Sequence, residues 1–445
     1  MISDPDSIAS KDQERTRLSL FNVLTILTLV ATLALSCCYL TVAINPHLPF
    51  NPFPPATRVA LATIPPTPTA SPTPTPTETP TITPTPEPTP TPIVGAYWTT
   101  ERIVSSYPLK KIEAAGTYEE IGRAFGEWYQ KQGFSPRPLT VEEQETARAT
   151  LALYKDLYPG AVEQMRGIYA AYDLNLDDVS EGIPVWEDWW SFLLPGVVYN
   201  PFCSVAFARP EMTDDGHARL GRNNDWASAM PQTTLVFAYP AGAYPAVIMT
   251  VGAPSFTAFD GMNDRGLALG VAAVDAAGYP SDTHPALIDL QVYRILLETC
   301  ADVEEAIGVL QETPLVFSPE FGTHVLLADR SGASAVVEFL DEGVVVSRAD
   351  TAYQVMTNSH WAGPADQADC SRYQAAVGAL EDGRGQLDTE GMMEVMAAVH
   401  TSTQWTVVYD LQDLTLTLSL PTDNFTNRYE FSLADFVSRM EALGF

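Results

Sequence analysis

The sequence predicts an α+β fold, and three observations support this prediction. Residues 97–202 place apolar side chains at helical spacing, whereas the periodicity after residue 203 changes to short alternating runs between turn residues. These strand-like runs alternate with helical segments without a regular βαβ order, which favours antiparallel sheets with helices packed on them. The 445 residues, 46% of them hydrophobic, suffice for one large core or two ordinary ones.

The beginning of the chain predicts a membrane anchor. Residues 1–17 form a polar tail, and residues 18–44 contain no charged side chain. Such a run is long enough to cross about 30 Å of hydrocarbon as a helix. Because basic residues precede it, the positive-inside rule places the tail in the cytoplasm and the rest of the chain outside the cell. A cleaved signal peptide and a lipoprotein site at Cys37 are the alternatives.

Residues 45–96 predict an extended linker. Between Ser71 and Pro92, a proline stands at nearly every second position and alternates mainly with threonine. Proline lacks a backbone donor and fixes φ, so this stretch forms neither helix nor sheet. An extended, polyproline-like chain of about 3.1 Å per residue would hold the following domain away from the membrane.

Residues 97–202 are predicted as a helical N-terminal segment. Thr117 is a cap residue with Glu120 three positions later, and apolar residues follow at helical spacing. Further helices are predicted at 141–157 and 161–172. The segment ends in an aromatic cluster, either a packed patch or a cover over a substrate pocket, formed by Trp186, Trp189, Trp190 and Phe192.

The remaining residues, 203–445, alternate between strands and helices. The predicted strands lie at 234–238, 246–251, 256–259, 267–274, 324–328, 335–340, 343–347, 352–356, 406–409 and 414–418. The predicted helices lie at 287–310 (as a pair), 371–380, 389–400 and 433–443. Cys300 stands among apolar neighbours in the helix pair, so it is interpreted as a buried core residue.

The composition excludes several classes of protein. A formal net charge of −31 gives an acidic surface that repels phosphates, so no nucleic-acid partner is expected. Five cysteines, two of them in the apolar run, exclude a disulfide-dense scaffold and leave an odd thiol. No histidine and carboxylate pair has metal-ligand spacing, and no phosphate-binding glycine loop is present. Neither a metal nor a cofactor is therefore predicted.

Cys203 is the candidate nucleophile, because it stands where helical periodicity changes to strand periodicity. A free thiol is mostly protonated at neutral pH and needs a base or a positive charge nearby. Histidine is the usual base, yet none of the six histidines stands in a recognisable cysteine-protease context. A Cys–His peptidase is therefore only an alternative interpretation.

Five stretches, in the same order along residues 203–420, resemble the linear amide C–N hydrolases. This branch of the N-terminal-nucleophile hydrolases includes choloylglycine hydrolases, penicillin V acylases and acyl-coenzyme A:6-aminopenicillanic acid acyltransferases. Each stretch alone is a weak signal, but the ordered set is specific. The stretches are Cys203-Ser204 with Gly221–Trp226, Asp260–Leu267, Val355–Ser359, Ser371–Tyr373 and Thr401–Tyr409.

The resemblance implies a role for each of five residues. Cys203 would be the nucleophile and, after self-cleavage of the bond before it, would supply its own α-amine as general base. Arg222 would favour the thiolate, and Asp225 would orient the amine. Asn358 would donate to the oxyanion, and Arg372 would complete the polar network.

Purely structural roles are open for the same positions. Arg222 and Asp225 would then form an ion pair in a turn. Asn358 would be a turn residue at the end of a strand, and Arg372 would be an ordinary charge on a helix surface.

The sequence departs from the choloylglycine hydrolases at three points. Those enzymes expose their cysteine near the start of the chain, whereas 202 residues precede Cys203 here. Segment 97–202 resembles instead the N-terminal part of the acyltransferase branch, which stays attached without a covalent bond. Ala272 stands where choloylglycine hydrolases often carry an asparagine that assists the oxyanion. The connection between Asn358 and Arg372 is short, so neither their tetramer nor a bile-salt substrate is expected.

The resemblance implies a four-layer αββα sandwich formed by 203–445 with help from 97–202. The predicted function is a membrane-anchored, extracellular amidase or acyltransferase acting on a small N-acyl amide. It would mature by cleavage at Phe202–Cys203, after which the two pieces stay associated without a covalent bond. The alternatives are a non-catalytic surface binding module with the same fold and the Cys–His peptidase.

Overall fold

The structure is a computed structural model, and it describes residues 96–104, 109–183, 203–226, 233–251, 257–274, 286–317, 322–362 and 370–445. The predicted tail and membrane helix lie outside these residues, as do the linker up to residue 95, the aromatic cluster and Phe202. Within the described ranges, no helix is both long and apolar enough to cross a bilayer.

The described residues contain eight α-helices. They are α1 (Tyr118–Lys131), α2 (Val141–Leu157), α3 (Pro159–Ala171), α4 (Asp289–Thr299), α5 (Val303–Glu312), α6 (Ser371–Asp382), α7 (Thr389–Ala397) and α8 (Leu433–Leu443). Thr117 begins α1 and Thr140 begins α2, and each forms a reciprocal capping box with a glutamate three residues later. The predicted cap at Thr117 and the predicted helix at 141–157 are confirmed.

The described residues also contain nineteen strands. They are β1 (Tyr97–Arg102), β2 (Leu109–Gly116), β3 (Arg137–Pro138), β4 (Glu181–Gly182), β5 (Ser204–Ala208), β6 (Arg219–Asp225), β7 (Thr233–Pro240), β8 (Ala246–Val251), β9 (Asp260–Asn263), β10 (Leu267–Val274), β11 (Leu287–Ile288), β12 (Leu315–Val316), β13 (Gly322–Asp329), β14 (Ser334–Leu340), β15 (Gly343–Ser347), β16 (Tyr353–Met356), β17 (Thr403–Asp410), β18 (Thr415–Ser419) and β19 (Tyr429–Ser432). The bounds of β8, β10 and β15 coincide with the predicted strands.

Most strands belong to two large sheets. The first has nine strands in the order β1-β2-β7-β8-β9-β10-β13-β14-β15. Its neighbours are antiparallel except β2 and β7, which pair in parallel from Leu109↔Thr233 to Gly116↔Pro240. The second has six antiparallel strands in the order β16-β5-β6-β17-β18-β19. The short pairs β3–β4 and β11–β12 stand apart from both.

The two large sheets pack face to face between two helical layers. Their facing sides share an apolar core that includes Val205, Phe207 and Met249. Helices α1 to α5 cover the outer side of the nine-stranded sheet. Helices α6 and α7 cover the outer side of the six-stranded sheet. The described residues thus have the αββα order of layers, in which burial of apolar side chains on both faces of each sheet holds the layers together.

The prediction that residues 97–202 are helical is incomplete, because β1 and β2 belong to the nine-stranded sheet. Three charged residues within β2 hide its strand alternation. One of them, Glu113, is buried with its carboxylate 2.8 Å from Arg439 of α8 and 3.3 Å from Lys111. Since β2 lies between β1 and β7, the N-terminal segment supplies an inner strand of the sheet.

The strand predicted at 256–259 is wrong, because the structure begins β9 at Asp260 and leaves 257–259 outside any strand. The carboxylate of Asp260 is fully buried, and a buried charge is tolerated only with a partner. That partner, Arg222, lies on the other sheet. The periodicity of one strand carries no information about a partner on a different sheet.

Candidate active site

Cys203 lies directly before β5, with only 3% of its surface exposed. Its Sγ is 3.7 Å from Nη2 of Arg222 and 3.9 Å from both Oδ1 of Asn224 and the backbone oxygen of Asp225. The antiparallel register of β5 and β6, in which Ser204 pairs with Asn223, brings these residues together. The sequence stretches that begin at Cys203 and at Gly221 thus meet as adjacent strands.

Gly270 of β10 allows the two sheets to approach each other at this point. A Cβ at Gly270 would lie 2.9 Å from Cγ1 of Val205 and 3.4 Å from Cδ of Arg222. The distance to Val205 is shorter than van der Waals contact, and the distance to Arg222 is at its lower limit. The missing side chain therefore makes room for the arginine beside the thiol.

Arg222 is fully buried, and its guanidinium is surrounded by acceptors. Nη1 donates to Oδ2 of Asp260 at 2.7 Å, and Nη2 donates to Oδ1 of Asn224 at 2.9 Å. Nε and Nη2 both donate to the carbonyl of Val271, at 3.1 and 2.9 Å. The guanidinium carbon also lies 5.5 Å from the centre of the Trp405 ring, a cation–π distance. The cation is held rigidly, with one face toward the thiol.

Asp260 is a site residue to which sequence reasoning assigned no role. Its carboxylate accepts from Arg222, from Oη of Tyr409 at 2.6 Å and from Nε1 of Trp405 at 3.1 Å. Every partner is a donor, which is the hydrogen-bond set of an ionised carboxylate. The available signal is that an acidic residue begins Asp260–Leu267, one of the five stretches that resemble the family.

The electrostatic environment of the thiol differs from the one expected. Burial raises the pKa of Cys203, and the nearby positive charge of Arg222 opposes that rise without cancelling it. The carboxylate of Asp225 raises the pKa of the thiol further. Arg222 therefore acts in the predicted direction, but the net shift favours the thiol rather than the thiolate. Attack by Cys203 needs a base.

Asp225 ends β6 beside the thiol and is fully buried. Oγ1 of Thr403 donates to its Oδ1. Its Oδ2 is buried and has no hydrogen-bond partner among the described residues. Burial raises the pKa of Asp225, and the hydroxyls of Thr403 and Thr401 oppose this rise. The site thus contains a buried acceptor that a donor near Cys203 would satisfy.

Arg372, in the first turn of α6, connects three parts of the site. Its Nη1 donates to the carbonyl of Cys203 at 2.7 Å and to Oγ of Ser204 at 3.0 Å. Its Nη2 donates to Oδ1 of Asn358 at 3.0 Å. The Nδ2 of Asn358 donates to the carbonyl of Ala273 at 2.6 Å, which leaves its second N–H for another acceptor.

The structure therefore brings all five predicted site residues together. The predicted alternative of an Arg222–Asp225 ion pair is wrong, because Arg222 pairs with Asp260. The described histidines are engaged elsewhere: His324 and His360 with Glu338, His217 with Asp410, and His400 with Thr406.

A second polar cluster lies at the opposite end of β6. The ligand atoms of Asp215, His217 and Asp410 lie within 4.8 Å of one another, a spacing that suits a metal ion. However, the guanidinium of Arg219 lies 2.5 Å from Asp215 and 2.9 Å from Asp410. Since the arginine already neutralises these carboxylates, we interpret the cluster as an ion-pair network.

Known proteins similar to this chain agree with the geometry. The family described as acyl-coenzyme A:6-aminopenicillanic acid acyl-transferase matches residues 212–424. Penicillin V acylase of Pectobacterium atrosepticum is 32% identical over 112 residues. Over residues 212–424, the chain is similar to the linear amide C–N hydrolases. The resemblance predicted from the five sequence stretches is confirmed.

Solved structures are also similar to part of this chain. The match to the Pectobacterium acylase covers 22% of this chain and 30% of that protein. Penicillin V acylase from Agrobacterium tumefaciens has 20% identity and a TM-score of 0.41, over 52% of this chain and 86% of that one. A variant of conjugated bile acid hydrolase from Clostridium perfringens has 16% identity and a TM-score of 0.44, over 52% of this chain and 93% of that one.

Proposed function

We propose that this protein is a cysteine amidase of the N-terminal-nucleophile type, which cleaves the linear C–N bond of a small N-acyl amide. The environment of Cys203 carries the proposal. Its thiol lies 3.7 Å from Nη2 of Arg222, and its carbonyl accepts from Arg372 at 2.7 Å. Beside it, Asp225 keeps one buried oxygen without a hydrogen-bond partner among the described residues. The relatives named as an acylase and an acyl-transferase support this reaction class.

The base is proposed to arise by maturation. Cleavage of the Phe202–Cys203 bond frees an α-amine, whose ordinary pKa of about 7.7–8.0 suits proton transfer near neutral pH. The Oδ2 of Asp225, which has no hydrogen-bond partner in the described part of the chain, is the acceptor that would orient this amine. Because burial raises the pKa of the thiol, a base carried by the same residue is what the site requires.

The reaction then consists of two acyl transfers. The amine takes the thiol proton as Sγ bonds to the substrate carbonyl carbon, whose oxygen becomes an oxyanion. The second N–H of Asn358 donates to this oxyanion, an interaction worth about 3 kcal/mol of barrier. The ammonium returns the proton to the leaving nitrogen, the C–N bond breaks, and a thioester remains on Cys203. Water or an acceptor amine attacks the thioester carbon and gives a proton to the α-amine. The C–S bond then breaks, and the ammonium returns this proton to the departing thiolate.

The two chains produced by maturation are proposed to stay together outside the cell. β2 and β7 pair over their whole length across the cleavage point. Oη of Tyr118 in α1 donates to Glu298 in α4 at 3.0 Å, and Glu113 pairs with Arg439. In this proposal, residues 18–44 anchor the N-terminal chain in the membrane. Fractionation of cells that express the full chain should find both chains with the membrane, and recovery of both in the soluble fraction would overturn the anchor.

Mass spectrometry of the purified protein tests the maturation. We expect a fragment that begins at Cys203, and we expect Cys203→Ala to remain a single chain. Cys300→Ala is the matched control, because Cys300 is also buried but lies in the core under the helices. A wild-type protein that stays intact while folded would overturn the self-cleavage.

Amide hydrolysis is tested on a panel of penicillin V, N-acyl amino acids and N-acyl-homoserine lactones. We expect turnover of at least one N-acyl amide that Cys203→Ala loses by more than about a thousandfold, the scale seen when a nucleophile is removed. Addition of amines would reveal acyl transfer as a second product. Equal turnover by wild type and Cys203→Ala would refute the amidase.

A further inference from the structure

Glu338 of β14 holds a polar cluster that lies beside the site and that the mechanism above does not use. Its carboxylate is fully buried. Oε1 accepts from the N–H of Trp361 at 2.8 Å, and Oε2 accepts from the N–H of Ala362 at 2.6 Å. The Nδ1 atoms of His324 and His360 lie 3.3 and 3.2 Å from Oε1. We call Glu338, His324 and His360 the Glu338 cluster.

The contacts of His324 fix the orientation of its ring. Its Nε2 lies 2.7 Å from the carbonyl oxygen of Thr357, and a carbonyl only accepts, so Nε2 donates in this bond. Its Nδ1 lies 3.3 Å from the carboxylate of Glu338. His324 thus connects Glu338 to the backbone of Thr357, with none of its surface exposed.

The charge of Glu338 agrees with this arrangement. Burial alone would raise the pKa of Glu338, but hydrogen bonds from His324, His360 and the N–H of Trp361 outweigh it and hold the pKa far below its usual range. The titratable side chains that contact Glu338 among the described residues are these two histidines, one on β13 and one after β16. The cluster is a buried network of hydrogen bonds around an ionised Glu338.

The Glu338 cluster holds both ends of the short segment that carries Asn358. His324 binds the carbonyl of Thr357, the residue before Asn358. Glu338 binds the N–H groups of Trp361 and Ala362, three and four residues after it. Between these points, the side chain of Asn358 reaches Arg372 and the carbonyl of Ala273. The position of the Asn358 amide is thus set by contacts at both ends of its segment.

We propose that Glu338 and His324 are positioning residues for Asn358, whose free N–H they aim at the developing oxyanion. The inference depends on the amidase function proposed above. A buried charge is an expensive way to hold a loop, since apolar residues of similar volume often give equal or greater stability. What the hydrogen bonds of Glu338 and His324 supply is a defined geometry, and a displacement of about 1 Å at a catalytic group can cost about a hundredfold in rate.

Glu338→Gln is the first test, because it keeps the size of the side chain and removes its charge. We expect kcat to fall by about 10- to 100-fold with little change in KM, because an oxyanion donor acts in the transition state. The matched control is Asp410→Asn, which breaks the His217–Asp410 contact at the far end of β6. We expect this control to lose stability but to keep kcat within about twofold. Equal losses of kcat in the two variants, or an unchanged kcat in Glu338→Gln, would overturn the proposal.

Two substitutions of His324 distinguish its contact with Thr357 from its contact with Glu338. The amide of His324→Gln reaches the position of Nε2 and can still donate to Thr357, whereas His324→Asn places its amide near Nδ1 and leaves that carbonyl without its donor. We expect His324→Gln to retain at least about tenfold more kcat than His324→Asn at equal KM. The reverse order would show that the bond to Thr357 does not position Asn358.

A spectroscopic measurement distinguishes this inference from the amidase function. The backbone N–H groups of Trp361 and Ala362 donate to Glu338, so we expect Glu338→Gln to shift their amide NMR signals and Asp410→Asn to leave them unchanged. Unchanged signals of these two amides in Glu338→Gln would overturn the positioning role even if the amidase is active. Failure of every amide substrate alongside the expected shift would refute the amidase function and, with it, the catalytic role of the cluster.

Discussion

Two arginines contact the same site but differ in burial and in the charge of their partners. Arg222 is fully buried between the sheets, ion-paired with Asp260 and stacked near Trp405. Arg372 is half-buried at the start of a helix and donates to neutral oxygens of Cys203, Ser204 and Asn358. The first belongs to the core of the fold and also faces the thiol. The second connects three chain segments.

Because the two environments differ, we expect substitutions around Arg222 to affect mainly stability and substitutions of Arg372 to affect mainly catalysis. A buried ion pair costs several kcal/mol when one partner is removed, because the remaining charge has neither water nor a counter-ion. A half-exposed arginine can lose a contact and regain water, so its loss affects position more than folding. Substitutions around Arg222 should therefore unfold the protein, whereas substitutions of Arg372 should leave a folded but slow enzyme.

Asp260→Asn should have the largest effect. It leaves the buried guanidinium of Arg222 without its counter-charge, and we expect the free energy of unfolding to fall by about 3–5 kcal/mol. Chemical denaturation of the purified variant measures this loss. The double variant Asp260→Asn/Arg222→Met should recover part of the stability and none of the activity. A single variant as stable as wild type would contradict the view that Arg222 belongs to the core.

Arg372→Lys should have the second-largest effect, on catalysis rather than on stability. Lysine keeps the charge but cannot donate to Cys203 and Asn358 through one planar fork. We expect kcat to fall by about a hundredfold, while the free energy of unfolding changes by less than about 1 kcal/mol. Steady-state kinetics and denaturation on the same preparation separate the two quantities. A loss of stability above about 3 kcal/mol would show that Arg372 also belongs to the core.

Asp289, at the start of α4, is a buried carboxylate that, unlike Asp260, pairs with no arginine among the described residues. Oγ1 of Thr323 donates to its Oδ2, and its Oδ1 has no hydrogen-bond partner among the described residues. Burial raises its pKa from 3.8 to about 6. Since the folded pKa exceeds the unfolded one, the stabilising proton is fully bound below about pH 3.8 and is lost as the pH rises through about 6.

Asp289→Asn should remove this dependence on pH. Between pH 4 and pH 7, the free energy of unfolding of wild type should fall by about 2–3 kcal/mol more than that of the variant. Urea denaturation at the two pH values measures the difference. Parallel curves for the two proteins would show that Asp289 does not titrate in this range.

Gly270→Ala should have the smallest effect, and it acts where the two sheets meet beside Arg222. The added methyl group would press on Val205 and on the guanidinium stem, and we expect a loss of about 1–2 kcal/mol. Gly308→Ala in α5 is the control, because a Cβ there has nothing within 4 Å and should be neutral or stabilising. Equal melting temperatures for both variants would mean that the sheets can move apart without cost.

The sequence predicts those features of the fold and of the site that depend on residues close together along the chain. The capping box at Thr117 and the bounds of α2 follow from residues within one or two helical turns. Cys203, Arg222 and Arg372 were found because each lies in a short motif of the family. The strand structure of β2 and the role of Asp260 were missed for one reason: their charges are compensated by Arg439 and Arg222, which lie far away along the chain.

Glu338 illustrates the same limit more strongly. In the sequence it is one acidic residue in an apolar strand, and only the fold shows that four donors converge on it. These donors come from a neighbouring strand and from the segment after β16. No pattern within β14 could have identified them.

The inner position of β2 has a consequence for production of the catalytic chain by itself. Without residues 97–202, strand β7 would become the open edge of the nine-stranded sheet, and a row of backbone N–H and C=O groups would lose its partners. An exposed, apolar strand edge is a template for pairing with other copies. A gene that encodes only residues 203–445 is therefore expected to give aggregates, whereas co-expression of the preceding segment supplies the strand that closes this edge.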